Sequence, residues 1–240
     1  MSFWRRRSEE NAPSIGLPFP LTIRPPTFRS QPLMDDTLEV RWFVEDAPPA
    51  SVVDWIETLG AEAETTRTDL YLVCRDPAMN VKLREGKVQT KHRIGDRTPI
   101  EFANGVHGVQ ERWVKWSFPT VEQHHDLFDD DPTGLWVPVH KERLRLEVEP
   151  DEQADLLDRL IEPAPARAKI ELTEVRAEET RAWTICMEAQ GRPDALPGTL
   201  QQMGNYLFAQ GHPPTLTADH SFGYTRWIQR LTGVAEPASV

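Results

Sequence analysis

The clearest early pattern along the chain is a period of two. In residues 37–44 (TLEVRWFV), Leu38, Val40, Trp42 and Val44 share one face, while Thr37, Glu39, Arg41 and Phe43 share the other, the alternation of a half-buried strand. The period then changes at PPASVVDWIETLG. Proline and serine open this stretch, Val52, Val53, Ile56 and Leu59 recur at helical intervals, and Gly60 ends it, which predicts a helix packed outside a sheet. Seven further strands follow: TDLYLVC, NVKLR, KVQTKHR, GVQERWVKWSF, WVPVHKERLRLEV, AKIELTEV and RAWTICMEA. NVKLR and KVQTKHR flank Glu85-Gly86, where glycine supplies the positive φ of a tight hairpin, and a polar turn near residues 176–180 joins the last two strands.

Between the strands, TVEQHHDLF and PDEQADLLDRLIE read as short helices and TLQQMGNYLFAQG as a longer one ending at Gly211. SFGYTRWIQRLTG reads as another helix, with Phe222, Tyr224 and Trp227 supplying core contacts rather than a surface patch. Residues 1–35 differ in kind. They carry Arg5-Arg6-Arg7 and then apolar pieces broken by proline (GLPFPLTIRPPTF), which suit an extended arm. The expected organisation is therefore an arm over 1–35, one large domain over 36–211 and a helix with a tail over 212–240. Phe19, Leu21, Ile23 and Phe28 of the arm have two uses open to them, docking on their own domain or engaging a protein partner.

The periodicity matters most for where it puts charge. One alternating face carries nine bases, Arg41, Lys82, Arg84, Lys91, Arg93, Lys115, Lys141, Arg143 and Arg145, and then Lys169, against the acids Glu39, Glu111, Glu171 and Glu188. The opposite face of the same strands is apolar, with Leu38, Val40, Trp42, Leu83, Val114, Leu144, Ile170, Leu172, Ile185 and Met187 among its residues. A charged face on a one-sided sheet normally points to water. Here the chain as a whole has a net charge of -11, so a face this basic is a segregation of sign. If the apolar faces point out to helices, the basic faces meet around water and an anionic ligand, in an eight-stranded antiparallel barrel of α+β class. A flat sheet with helices on one side would present the same face as an open platform, and periodicity alone allows both.

Composition narrows the classes further. The acidic net charge argues against nonspecific nucleic-acid binding over the whole surface, which needs a basic field to displace counterions. Cys74 and Cys186 lie far apart, without His or Cys at metal-ligand spacing, so neither a zinc site nor a disulfide framework is expected. There is no apolar run of about 18 residues, and MSFWRRRSEENAP places charge where an export signal needs apolar residues, so a cytoplasmic protein is expected. His124-His125 and the aspartates 129–131 make a poor metal cluster, because adjacent helical histidines diverge and the aspartates precede Pro132 in a loop. Trp113 shares the charged face, where packing at the barrel end or stacking on an organic moiety are its two uses.

The order of these pieces resembles the CYTH superfamily of triphosphate tunnel metalloenzymes, over about residues 37 to 208. VKLREGKVQTKHR resembles that family's basic strand, hairpin and lysine-bearing strand, KERLRLE its next basic strand, and IELTEV and ICMEAQG its two closing strands. The resemblance implies a closed tunnel in which Arg41, Lys82, Arg84, Lys91, Arg93, Lys115, Lys141, Arg143 and Arg145 bind a triphosphate-bearing small molecule or polyphosphate. It further implies that Glu39, Glu171 and Glu188 hold Mg2+ or Mn2+ for hydrolysis, with charge neutralised by metal and guanidinium groups. The first strand departs from the family's Glu-x-Glu-x-Lys. Thr37-Leu38-Glu39-Val40-Arg41 lacks one carboxylate and has arginine for lysine, which opens a second reading, an inactive scaffold that meets a protein partner through its N-terminal arm.

Overall fold

The protein is described by a computed structural model covering residues 35–119, 131, 134–148, 166–209 and 216–234. The arm, the two short helices expected at TVEQHHDLF and PDEQADLLDRLIE, and His124, His125, Asp129 and Asp130 lie outside the described residues. All eight expected strands form: β1 (Asp35–Glu45), β2 (Glu62–Leu72), β3 (Met79–Arg84), β4 (Lys87–Phe102), β5 (Val106–Pro119), β6 (Trp136–Val148), β7 (Arg167–Ala177) and β8 (Thr180–Gln190). They close into an antiparallel barrel in the order β1-β5-β4-β3-β2-β6-β7-β8, with β8 pairing back onto β1. Closure excludes the flat platform.

The faces fall as the periodicity predicts. The outward residues Leu38, Val40, Trp42, Ile170, Leu172, Ile185 and Met187 are buried beneath two helices, α1 (Ala50–Thr58) and α2 (Leu196–Ala209). On α2, Leu196, Leu200, Met203, Gly204, Leu207 and Phe208 form the buried stripe, three and four residues apart as a helix on a sheet requires. Trp42 is the centre of this layer. It has no exposure, meets Phe102 and Phe208 edge-on, and donates a 2.8 Å hydrogen bond from its indole N–H to the His107 carbonyl.

Two irregularities depart from the expected strands. β4 continues nine residues past Arg93, its expected end, because the register slips between Ile94 and Thr98 and lets the strand run on beside β5. Gly95, at φ 71°, supplies the backbone conformation in that slip. β2 begins at Glu62 rather than Thr68 and carries an extra residue between Glu64 and Arg67. That bulge resets the alternation, so Glu64 pairs with Arg143 and Arg67 with Lys141, both facing the lumen.

Residues 216–223 run along the seam between β1 and β5. His107 N–H donates to the Leu216 carbonyl, Ser221 bridges to Trp42, and Val109 N–H donates to Ser221 Oγ at 2.8 Å. The chain then turns inward as α3 (Tyr224–Thr232), whose Trp227 and Ile228, with Phe222, pack against the inward residues Phe43, Tyr71, Val137, Val139, Val175 and Ala182. The expected core role of this helix is therefore met inside the barrel, where it plugs one end and makes the lumen a cup. Phe43 stacks on Phe222 and Trp227 at centroid distances of 5.4 and 5.3 Å.

Two glycines of α2 test the tightness of the outer layer. A methyl group added at Gly204 would enter the ring of Phe102 and approach Met187 Cε to 3.1 Å, whereas one at Gly198 meets nothing within 4 Å. Gly204→Ala is expected to cost about 1–3 kcal/mol through overpacking. Gly198→Ala is expected to be neutral or to stabilise by about 0.5–1 kcal/mol. Thermal or urea unfolding of the two variants checks the contrast.

Candidate functional site

The cup holds a cavity of about 140 Å³, space on the order of ten waters. Among the described residues, eight basic side chains line it, Arg41, Arg67, Lys82, Arg84, Lys91, Lys115, Lys141 and Lys169, against the three acids Glu39, Glu171 and Glu188. Six of the nine expected anion-binding residues are therefore on the wall together. Arg93, Arg143 and Arg145 also face inward but are engaged elsewhere. Arg93 lies on Glu111 at 3.2 Å, which Arg97 also holds at 2.9 Å. Arg143 pairs with Glu64 and approaches Glu171 at 3.8 Å, and Arg145 pairs with Glu64 at 2.9 Å and with Glu147. Arg145 borders a smaller cavity of about 70 Å³ toward the mouth, together with Glu147, Arg167, Lys169, Glu188 and Gln190.

The floor is organised by Asp69, a carboxylate with no exposure. Its Oδ2 receives Lys141 Nζ at 2.9 Å and Lys82 Nζ at 3.2 Å, and Arg67 Nε lies 3.2 Å from Oδ1 as an ion pair without hydrogen-bond geometry. Burial alone would raise the Asp69 carboxyl; Lys82, Lys141 and Arg67 outweigh it and hold the group well below the usual carboxylate range. One buried carboxylate still leaves three cations short of charge. Lys141 also donates to Tyr71 Oη at 2.7 Å and sits 3.9 Å from the Tyr224 ring centroid, over which Arg41 lies at 4.8 Å. The electron-rich face of Tyr224 thus supports two cations. Burial, only partly offset by Asp69 and Glu171, lowers the Lys141 ammonium to about 8, and burial likewise pushes Lys82 well below its usual value.

On the side wall, Arg41 donates to Thr184 Oγ1 at 3.3 Å and makes no ion pair within 4.0 Å among the described residues, nor does Lys115. Among the described residues, the one ion pair of Arg84 is with Glu85, at 4.0 Å and largely exposed. Burial and then the neighbouring cations Lys91 and Arg84 lower Lys115, a sign of net positive potential at this position. Trp113, 3% exposed, lines the same wall, and its indole N–H has no hydrogen-bond partner among the described residues, so packing and an available donor coexist there.

Of the three expected metal ligands, Glu39 and Glu188 are brought together around a lysine and Glu171 is held by other partners. Glu39 and Glu188 share the Lys91 ammonium at 2.9 and 3.2 Å, and the other oxygen of Glu188 receives Lys169 at 2.6 Å. Glu171 accepts from Thr173 at 3.0 Å and faces Arg143. Burial opposes its ionisation, but Arg41, Lys141 and Arg143 outweigh that and bring it down to about 2. Among the described residues, no three His, Cys, Asp or Glu side chains group as a metal site would require. As arranged, each acid is held by a base, and the three do not form the donor set a divalent ion takes.

Sequence reasoning missed Arg67, Asp69, Tyr71 and Tyr224. The first three alternate in RTDLY as clearly as any lumen strand, but Arg67 precedes the expected strand start at Thr68, and Asp69 and Tyr71 carry no further signal. No local signal marks Tyr224, which reaches the floor only because the chain crosses the barrel seam. No family model matches the chain and no curated protein matches it, so the chemistry has to be argued from these side chains. No helix among the described residues is long and apolar enough to cross a membrane.

The depressed carboxylates fix the acid response. A group whose folded value lies below its unfolded one contributes stability above the unfolded value, and that contribution is lost as pH falls through the folded value. Stability is therefore expected to fall from about pH 4.5 toward about pH 2, the range set by Glu171, with Asp69 and Glu188 acting in the same direction. Asp69→Asn is expected to cost about 3–5 kcal/mol at neutral pH by leaving buried cations uncompensated, and to make the acid limb shallower. Chemical unfolding as a function of pH measures both.

Proposed function

We propose that the cup binds a short chain of phosphates, as inorganic polyphosphate or as the triphosphate of a small molecule. The observation that carries this reading is the set of lumen cations without matching acids, above all Arg41, Arg84 and Lys115. Holding so many like charges in a confined, partly dehydrated space is unfavourable, and an anion of several charges relieves all of them at once. Guanidinium groups on the wall favour phosphate oxygens through paired donors, and lysines at floor and mouth add point charges. The blind floor favours a ligand that enters by one end. The resemblance to triphosphate tunnel metalloenzymes points to the same class of ligand.

Hydrolysis is a separate matter. In that resemblance it depends on acids that are here paired with Lys91, Lys169, Arg143 and Thr173, so noncatalytic binding is the second reading, favoured by this pairing. In that reading the barrel is a ligand-holding scaffold and residues 1–35 meet a protein partner. Phosphate release from tripolyphosphate, ATP and thiamine triphosphate, with Mg2+ or Mn2+, separates the two.

Titration calorimetry with tripolyphosphate is expected to show saturable binding. Arg84→Ala and Lys115→Ala should each weaken it about tenfold, roughly 1.4 kcal/mol, while Arg176→Ala on the exposed outer face should not. No heat and no thermal shift with any of the phosphates would sink the reading. Because Lys141 loses its proton near pH 8 in the free protein and an anion favours the charged form, binding should take up protons around that pH. Affinity should then decline as pH rises further, which titrations in buffers of different ionisation enthalpy would reveal.

A further inference from the structure

The register of the barrel imposes a problem between β1 and β8. Glu39 and Glu188 stand directly opposite each other on neighbouring strands, both inward and both nearly inaccessible, the arrangement in which like charges destabilise a sheet. On the neighbouring pair, Lys91 of β4 stands directly opposite Lys115 of β5, a like-charge pair of the other sign. The side chain of Lys91 resolves the first and eases the second. It leans across β5, away from its own cross-strand position, and places its ammonium 2.9 Å from Glu39 Oε2 and 3.2 Å from Glu188 Oε2. Lys169, opposite Glu188 on β7, takes the remaining Glu188 oxygen at 2.6 Å.

A cation bridging two facing carboxylates is the role a divalent metal plays in an oxygen-ligand site. We propose that Lys91 is the resident cation of the Glu39–Glu188 pair, so that the cup captures its phosphate ligand without a divalent metal. The inference rests on the phosphate-binding reading for its second half only; the exclusion of metal by Lys91 stands on the carboxylate geometry alone. Chemically, the ammonium neutralises the carboxylates, keeps them from repelling an incoming anion, and leaves Arg41, Arg84 and Lys115 to contact it. It cannot withdraw electrons from phosphorus as a Lewis acid would, so the arrangement suits retention of the ligand rather than turnover.

The test uses the full chain and begins without phosphate. Mn2+ is titrated into wild type, Lys91→Met and Lys91→Arg, with bound metal read from electron paramagnetic resonance or water-proton relaxation. Wild type and Lys91→Arg are expected to bind no Mn2+ in the lumen, and Lys91→Met to gain a site that is lost again in Lys91→Met/Glu188→Gln. Mn2+ binding by wild type as tight as by Lys91→Met overturns the proposal. A second measurement needs no variant: tripolyphosphate affinity of wild type is expected to survive EDTA. Loss of binding in EDTA with recovery on adding Mn2+ also overturns it. If tripolyphosphate fails to bind under either condition, the phosphate reading fails while the Mn2+ comparison still decides the role of Lys91.

Discussion

Everything in the lumen follows from one constraint, that a closed antiparallel barrel fixes which inward side chains face one another before their charges are consulted. Lys141 falls opposite Arg67, Lys91 opposite Lys115, and Glu39 opposite both Glu111 and Glu188. Like-charge neighbours of this kind weaken a sheet unless something of opposite sign lies between them. Asp69 meets that need at the floor for Arg67, Lys82 and Lys141, and Lys91 meets it at the wall for two glutamates. Each solution is local and incomplete. What remains is an excess of positive charge around the cavity, in a chain acidic overall.

The apolar layers make this arrangement tolerable. The outer layer under α1 and α2 is continuous hydrocarbon and aromatic packing, and the inner plug of Phe43, Phe222 and Trp227 closes the end of the barrel nearest Asp69. Burial there strengthens the ion pairs and raises the cost of breaking them, which is why the floor titrates so far from ordinary values. The mouth is different. Arg145 and Glu147 are substantially exposed, and their pairings are worth little in water.

Much of this was legible in the chain, for a physical reason. Period-two alternation survives wherever a strand is regular, so the eight strands, the apolar outer face and the lumen positions of Arg41, Lys82, Arg84, Lys91, Lys115 and Lys141 follow from spacing alone. It fails where a bulge resets the count. The extra residue before Arg67 hid the strand start beside Asp69, and the slip around Gly95, with Pro99 beyond it, left the second half of β4 outside the expected strand. Spacing also names faces, not neighbours. Nothing in the positions of Glu39, Glu171 and Glu188 along the chain distinguishes three acids that converge from three that are each held by a base, because that depends on where Lys91, Lys169 and Arg143 reach.

The passage of residues 216–223 along the β1–β5 seam bears on how the protein acquires its shape. β1 closes the barrel by pairing with β8, some 140 residues later, and the end of the barrel is filled only when α3 follows, roughly 180 residues after β1. A chain built from such distant pairings pays a large loop-closure entropy before its contacts form, and it folds slowly for that reason. During synthesis, the basic strands must therefore wait in an unfinished, water-filled curl until the segment that seals them has emerged.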